Sequence, residues 1–166
     1  MHRNFTLLIR SPRTRLTLRV LGATLLLFVG GDHYYEYSVD DYSVLPTIGT
    51  LFLLNFISAT AIGLILLAPL DRILHRFSRI ALQLAALSGF GIAATSLIAL
   101  LVSEHTKLFG FMESNYRPAI IVAIASEAAA ALILLLVFVV GWGAKRLVSS
   151  PRAPLAHHSQ PSAGMP

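Results

Sequence analysis

The 166-residue chain has no cysteine and a single tryptophan. Without thiols it can form no disulfide, no thiolate metal centre and no cysteine nucleophile; the compartment is left open. Charge is scarce too. Only 13% of the residues are Asp, Glu, Lys or Arg, against about 25% in ordinary soluble domains, so a soluble globule of this composition would lack polar material for its surface. No glycine-rich phosphate loop, nucleotide fingerprint or Ser/His/Asp arrangement is present. No pair of mid-helix histidines offers itself to a haem, and the polar flanks are too short for a catalytic domain. The sequence therefore predicts neither an enzyme nor a bound cofactor.

What is present is apolar: 55% of the residues are hydrophobic and the mean hydropathy is +0.72. The net charge is +5 and the isoelectric point about 10.1. The basic residues nevertheless sit in short flanks beside apolar runs and make no stripe of the kind a nucleic acid needs. Nucleic acid is excluded as a partner, and the lipid bilayer takes its place.

The chain is organised around Gly31–Asn55, where Asp32, Glu36, Asp40 and Asp41 are interleaved with His33 and with Tyr34, Tyr35, Tyr37 and Tyr42. Apolar runs lie on both sides. The first, Val20–Gly31, is short for a bilayer core of about 30 Å, which needs about 20 helical residues. The spacing therefore predicts a helix over about 16–37, with Arg19 snorkelling to headgroups and the tyrosines in an interfacial belt. A cleaved signal peptide competes for this segment, but there is no A-x-A site and the basic region before the run is long. Pro46 opens a second helix (46–70), since a missing N–H costs nothing at a first helical position. A third follows over 80–102, and Pro118 opens a fourth over 118–142. Gly89 and Gly91 read as packing glycines of the third helix. Residues 147–166, rich in Pro, Ser, Ala and His, lack the apolar content to order themselves.

The expected fold is all-α: a four-helix transmembrane bundle of residues 16–146 between a basic N-terminus (1–15) and a disordered tail. Its orientation follows from charge. Of the 13 basic residues, all but Lys107 and Arg117 lie in the N-terminus, the 70–80 turn or the C-terminal flank. By the positive-inside rule both termini are cytoplasmic, and the loops 32–45 and 103–117 face outward. Arg19, Arg72, Arg76, Arg79, Lys145 and Arg146 are the expected inner-face anchors, and His75 lies among them. The pattern of basic flank, helix, acidic aromatic loop, proline and helix occurs at 16–72 and again at 79–146, as in parallel repeats; a shared hairpin topology explains it equally well.

Two sets of residues could carry chemistry. Glu127 is the only acid well inside an apolar span, where a charge costs about 2.5–3.5 kcal/mol on insertion scales. It lies nine residues after Pro118, about 13–14 Å down the helix at 1.5 Å per residue. Asn55 lies nine residues after Pro46, so the two polar groups are expected at similar depth. Either they form a proton relay or transport site, or Glu127 bonds to Asn55 or a backbone carbonyl as interhelical glue. The second set is His33 with Glu36 and Asp40, at i, i+3 and i+7 on one helix face, joined by His105 from the other loop. Imidazole and carboxylate ligands of this kind hold Zn, Mn or Fe.

The segment HYYEY…YSVLPTIGTLFLLN resembles an uncharacterised group of small four-helix integral membrane proteins of actinobacteria. In these a histidine and aromatics end the first helix, and a proline-led I-G-x-L-F-x-L-N-like run opens the second. Leu45 stands where that pattern favours Ile. The resemblance covers residues 22–70 and implies a bacterial inner (plasma) membrane location, with no activity attached. Taken together, the sequence points first to a non-enzymatic accessory or assembly subunit working through a membrane-protein partner or as a homo-oligomer. A proton-linked small transporter or channel using Glu127 and Asn55 comes second, and an outer-face metal-binding protein using His33, Glu36 and His105 third.

Overall fold

A computed structural model of the chain describes residues 11–110, 112 and 118–148, the side chains of 143–148 excepted. The described residues form four long helices: α1 (Pro12–Ser38), α2 (Pro46–Leu67), α3 (Ser78–Ser103) and α4 (Pro118–Val148). A 3-10 turn, Tyr42–Val44, precedes α2. A one-turn helix, Leu70–Ile73, and a second 3-10 turn, His75–Phe77, join α2 to α3. All four long helices are long and apolar enough to cross a membrane. Arg3, Arg10, Arg117 and the tail from residue 149 lie outside the described residues.

The helix ends follow from local chemistry. α1 starts at Pro12, earlier than its apolar run requires, because the Ser11 hydroxyl accepts a hydrogen bond from the Thr14 N–H and caps the first turn. Pro46 stands at the first position of α2 and Pro118 at that of α4, as expected. α2 stops at Leu67, short of the expected Leu70, because Ala68 precedes Pro69 and takes the extended conformation (φ −61°, ψ 145°) that proline imposes on its neighbour.

The helices form a ring in chain order. α1 packs along α2 and α4, and α3 packs along α4 and α2, leaving α1 and α3 diagonal with little contact. Small residues allow the close approach. Gly63 faces Leu27 and the Ala23 carbonyl, and Gly30 faces Thr60 and Ala59. Gly89 meets Leu26 and Leu134 as a packing glycine should, whereas nothing approaches Gly91; α3 turns that glycine outward. Large side chains including Phe28, Leu54, Leu84, Ile98 and Leu132 are exposed on the outside of all four helices, the pattern of a lipid-facing surface.

Each interior stripe changes character along the bundle. At the end holding the α2–α3 connection it is apolar: Ala23, Leu26, Ala59, Leu66, Ala85, Ala86 and Leu134 make one buried cluster. A second layer of Val29, Ala93 and Ala130 follows. Beyond it, towards the α1–α2 and α3–α4 loops, the stripe carries His33, Glu36, Ser103, Ser126 and Glu127, all buried.

Arg19, expected as a headgroup anchor, bonds within the protein. Its guanidinium donates to the carbonyl of Leu66 (2.5 Å) and to that of Ala68 (2.8 Å), on the last turn of α2, where carbonyls lack helical partners and a cation opposes the helix dipole. Removing it strands these acceptors. Arg19→Ala is expected to cost about 1.5–3 kcal/mol, the usual range for hydrogen bonds to a charged group, measured by unfolding the protein in mixed micelles. Arg72, Arg76 and Arg79 are exposed, with Arg76 stacked 4.9 Å over the Phe77 ring. Lys145 and Arg146 lie on the final turns of α4.

Candidate functional site

At the polar end the four helices enclose a cavity of about 310 Å³. Its wall includes Asp32, His33 and Glu36 from α1, Tyr42 from the 3-10 turn, Phe52 and Asn55 from α2, Ser96 from α3 and Glu127 from α4. The turn is held against α2 at Gly49, where a side chain would lie 2.6 Å from the Tyr42 carbonyl oxygen; only glycine lets the Tyr42 wall close down. An aromatic row then runs inward, the Tyr42 and Phe52 rings centred 5.0 Å apart and the Phe52 and His33 rings 5.1 Å.

Three side chains from three helices meet in the cavity floor. The His33 Nδ1 lies 2.9 Å from the Val29 carbonyl oxygen, one turn back on α1, and its Nε2 lies 2.9 Å from the Ser96 Oγ. The Ser96 Oγ is 2.6 Å from Glu127 Oε1. The direct His33 Nε2 to Glu127 Oε1 distance is 3.6 Å, too long for a hydrogen bond, so the serine is the link. Among the described residues the other carboxyl oxygen, Oε2, has no hydrogen-bond partner, and neither has the Oδ1 of Asn55. Glu127 is only 2% exposed.

Hydrogen counting restricts this chain. A carbonyl only accepts, so His33 Nδ1 carries a hydrogen. A hydroxyl donates once and accepts twice, and a neutral imidazole has one donor nitrogen and one acceptor. Two arrangements satisfy every contact. In one, His33 is an imidazolium: Nε2–H donates to Ser96 and the Ser96 hydroxyl donates to a Glu127 carboxylate. In the other, Glu127 is the acid: its O–H donates to Ser96 and the Ser96 hydroxyl donates to a neutral Nε2. They differ by the shift of one proton at each end and reorientation of one hydroxyl. With no proton to share, Ser96 can satisfy only one neighbour. Every contact of the chain is satisfied when His33 and Glu127 share one proton.

Glu127 and Asn55 thus line one cavity, but the bonded partner of Glu127 is Ser96 rather than Asn55 or a backbone carbonyl. The set His33, Glu36 and His105 is not assembled. α1 ends at Ser38, so Asp40 leaves the helical face; both nitrogens of His33 are engaged; and His105 is exposed on the turn after α3. Among the described residues, no group of three His, Asp or Glu side chains is arranged to hold a metal. The sequence reading missed Ser96 altogether. Its signal was position: it continues the buried small-residue stripe of Ala86, Gly89 and Ala93 at helical spacing. Compared with known protein families, with curated proteins and with solved structures, the chain matches none.

Proposed function

We propose that the protein is a proton-linked transporter of a small solute, with the cavity as its loading chamber and the His33–Ser96–Glu127 chain as its proton site. The observation that carries this reading is the unpartnered Glu127 Oε2, buried in the cavity wall while Oε1 belongs to a proton-sharing chain. A glutamate serving only to join helices would have both oxygens matched, because an unmatched buried acceptor costs about 1–3 kcal/mol. The cavity lies at the end that the positive-inside rule would turn outward, and the apolar clusters fill the other end, which supports reading it as an outward-loading state. Alternating access then requires the two hairpins to move against each other.

The test uses the full chain in liposomes on a solid-supported membrane. A pH jump is expected to give a transient current as a proton enters the site, and Glu127→Gln is expected to reduce it at least tenfold while leaving the elution profile in detergent unchanged. Solute jumps with a panel of amines, amino acids and carboxylates then report coupling. Equal currents in wild type and Glu127→Gln would end the transporter reading. A stoichiometric membrane partner recovered in mild detergent, with no charge movement, would establish an accessory subunit instead.

A further inference from the structure

Resting on that transporter reading, we infer that the cavity takes a small amphiphile bearing a protonated amine, its N–H groups donated to Glu127 Oε2 and Asn55 Oδ1. The cavity presents unsatisfied acceptors. Glu127 Oε2 and Asn55 Oδ1 are both buried, without a hydrogen-bond partner among the described residues, and both belong to residues of its wall. A ligand that completes them brings donors, which excludes quinones, ketones and other molecules that only accept.

The titratable wall groups fix the sign of its charge. They are Asp32, His33 and Glu36 from α1, Tyr42 from the turn and Glu127 from α4; α2 and α3 contribute only the neutral polar groups Asn55, Thr95, Ser96 and Ser103, and among the described residues no lysine or arginine lines the wall. An anion would meet the carboxyl groups of Asp32 and Glu127, which no lysine or arginine of the described wall opposes. A cation meets Glu127 from α4 and Asp32 from α1. The remaining wall is apolar and aromatic, with Leu51, Phe52, Leu100 and Tyr42, which suits the body of an arylalkylamine and offers ring faces to its charge. A volume of about 310 Å³ lies at the low end of the roughly 300–1,000 Å³ of small-molecule sites.

The amine also engages the proton site. An ammonium on Oε2 requires Glu127 as a carboxylate, which selects the arrangement with the shared proton on His33. Amine binding at Oε2 therefore moves the shared proton from Glu127 to His33 without expelling it, and no covalent step is involved.

Equilibrium binding to the full chain in nanodiscs tests this with radiolabelled 2-phenylethylamine, with 2-phenylethanol and phenylacetate as neutral and anionic comparators. Saturable binding of the amine is expected, at least tenfold tighter than either comparator. Glu127→Gln is expected to weaken it by about ten- to a hundredfold, the worth of a hydrogen bond to a charged group. Asn55→Leu, which leaves the proton chain intact, is expected to weaken it several-fold, and it serves as the readout should Glu127→Gln fail to fold. Tighter binding of phenylacetate or 2-phenylethanol, no binding of the amine, or amine binding untouched by both substitutions would overturn the inference. Failure here is distinguishable from failure of the transporter reading. Currents evoked by a carboxylate and lost in Glu127→Gln keep transport and remove the amine, whereas amine binding without charge movement keeps the amine site and removes transport.

Discussion

Ser96→Ala is expected to reduce the pH-jump current at least tenfold, as far as Glu127→Gln does, although it removes no ionisable group. The His33 Nε2 and Glu127 Oε1 are 3.6 Å apart, beyond hydrogen-bond reach, and the Ser96 hydroxyl lies within 2.9 Å of both. Alanine deletes the hydroxyl and leaves the two ends separated by a gap. Ser96→Thr keeps the hydroxyl and is expected to retain most of the current, which distinguishes loss of the link from general damage to α3. The same alanine strands Oε1 beside the already unmatched Oε2, and the stability loss is expected at about 1–3 kcal/mol. A full current in Ser96→Ala would mean that protons reach Glu127 directly from the cavity, and that His33 plays no part.

The two hydrogen arrangements also explain why one histidine and one glutamate are tolerated in so apolar a bundle. Burying one isolated charge is costly unless it is paired and hydrogen-bonded. Here the pair is either doubly neutral or doubly charged with opposite signs, so the interior carries no net charge in either form. Ser96 keeps the chain of hydrogen bonds complete in both. One oxygen of Glu127 thus belongs to the hydrogen-bonded chain, and its residue also lines the cavity.

Much of the bundle was legible from residues alone. Pro46 and Pro118 mark helix starts by a rule about one missing N–H, and apolar length sets the number of spans. Glu127 and Asn55 stood out as polar groups in apolar runs, and both line the cavity. What was not legible depends on helix rotation. His33 sits between Asp32 and Tyr34 and reads locally as part of a polar rim. Its spacing from Leu26 and Val29, at three and four residues, instead continues the buried stripe of α1. Ser96 was harder still. Serine and threonine are ordinary in membrane helices, where they bond back to their own backbone, as Ser38 does to Tyr34, Thr50 to Pro46 and Thr95 to Gly91. Only the turn of α3 about its axis sends Ser96 inward and its neighbour Thr95 back onto the helix. Arg19 looked like every other flanking arginine because its partners are carbonyls 47 and 49 residues away, which no local pattern encodes.

The largest stability loss is expected at the apolar seal, from Leu134→Ala. Leu134 is fully buried in the core cluster. A side chain built at Gly22 of α1 would come within 2.9 Å of it, and one at Gly89 of α3 within 3.0 Å. Leu134 therefore fills the space that two glycines on diagonal helices leave empty. Core Leu→Ala changes cost about 2–5 kcal/mol depending on how far the site collapses, and glycines offer no side chain to move in, so the upper part of that range is expected. The emptied space is lined by apolar groups and stays dry, so no proton leak is expected to accompany the loss. Along α3 the next polar group beyond the seal with a buried unmatched oxygen is Gln83, thirteen residues and about 20 Å from Ser96 at 1.5 Å per residue. A double-mutant cycle isolates the geometry. In the wild type, Gly22→Ala drives its new methyl into Leu134 and is expected to destabilise by about 1–3 kcal/mol, as overpacking does. In the Leu134→Ala background the same methyl enters the vacated space and is expected to be neutral or stabilising. The two changes should then depart from additivity by about 0.5–3 kcal/mol, the range for residues in contact. Additive effects would show that α1 and α4 do not meet at this pair, and the seal between cavity and opposite face would have to lie elsewhere.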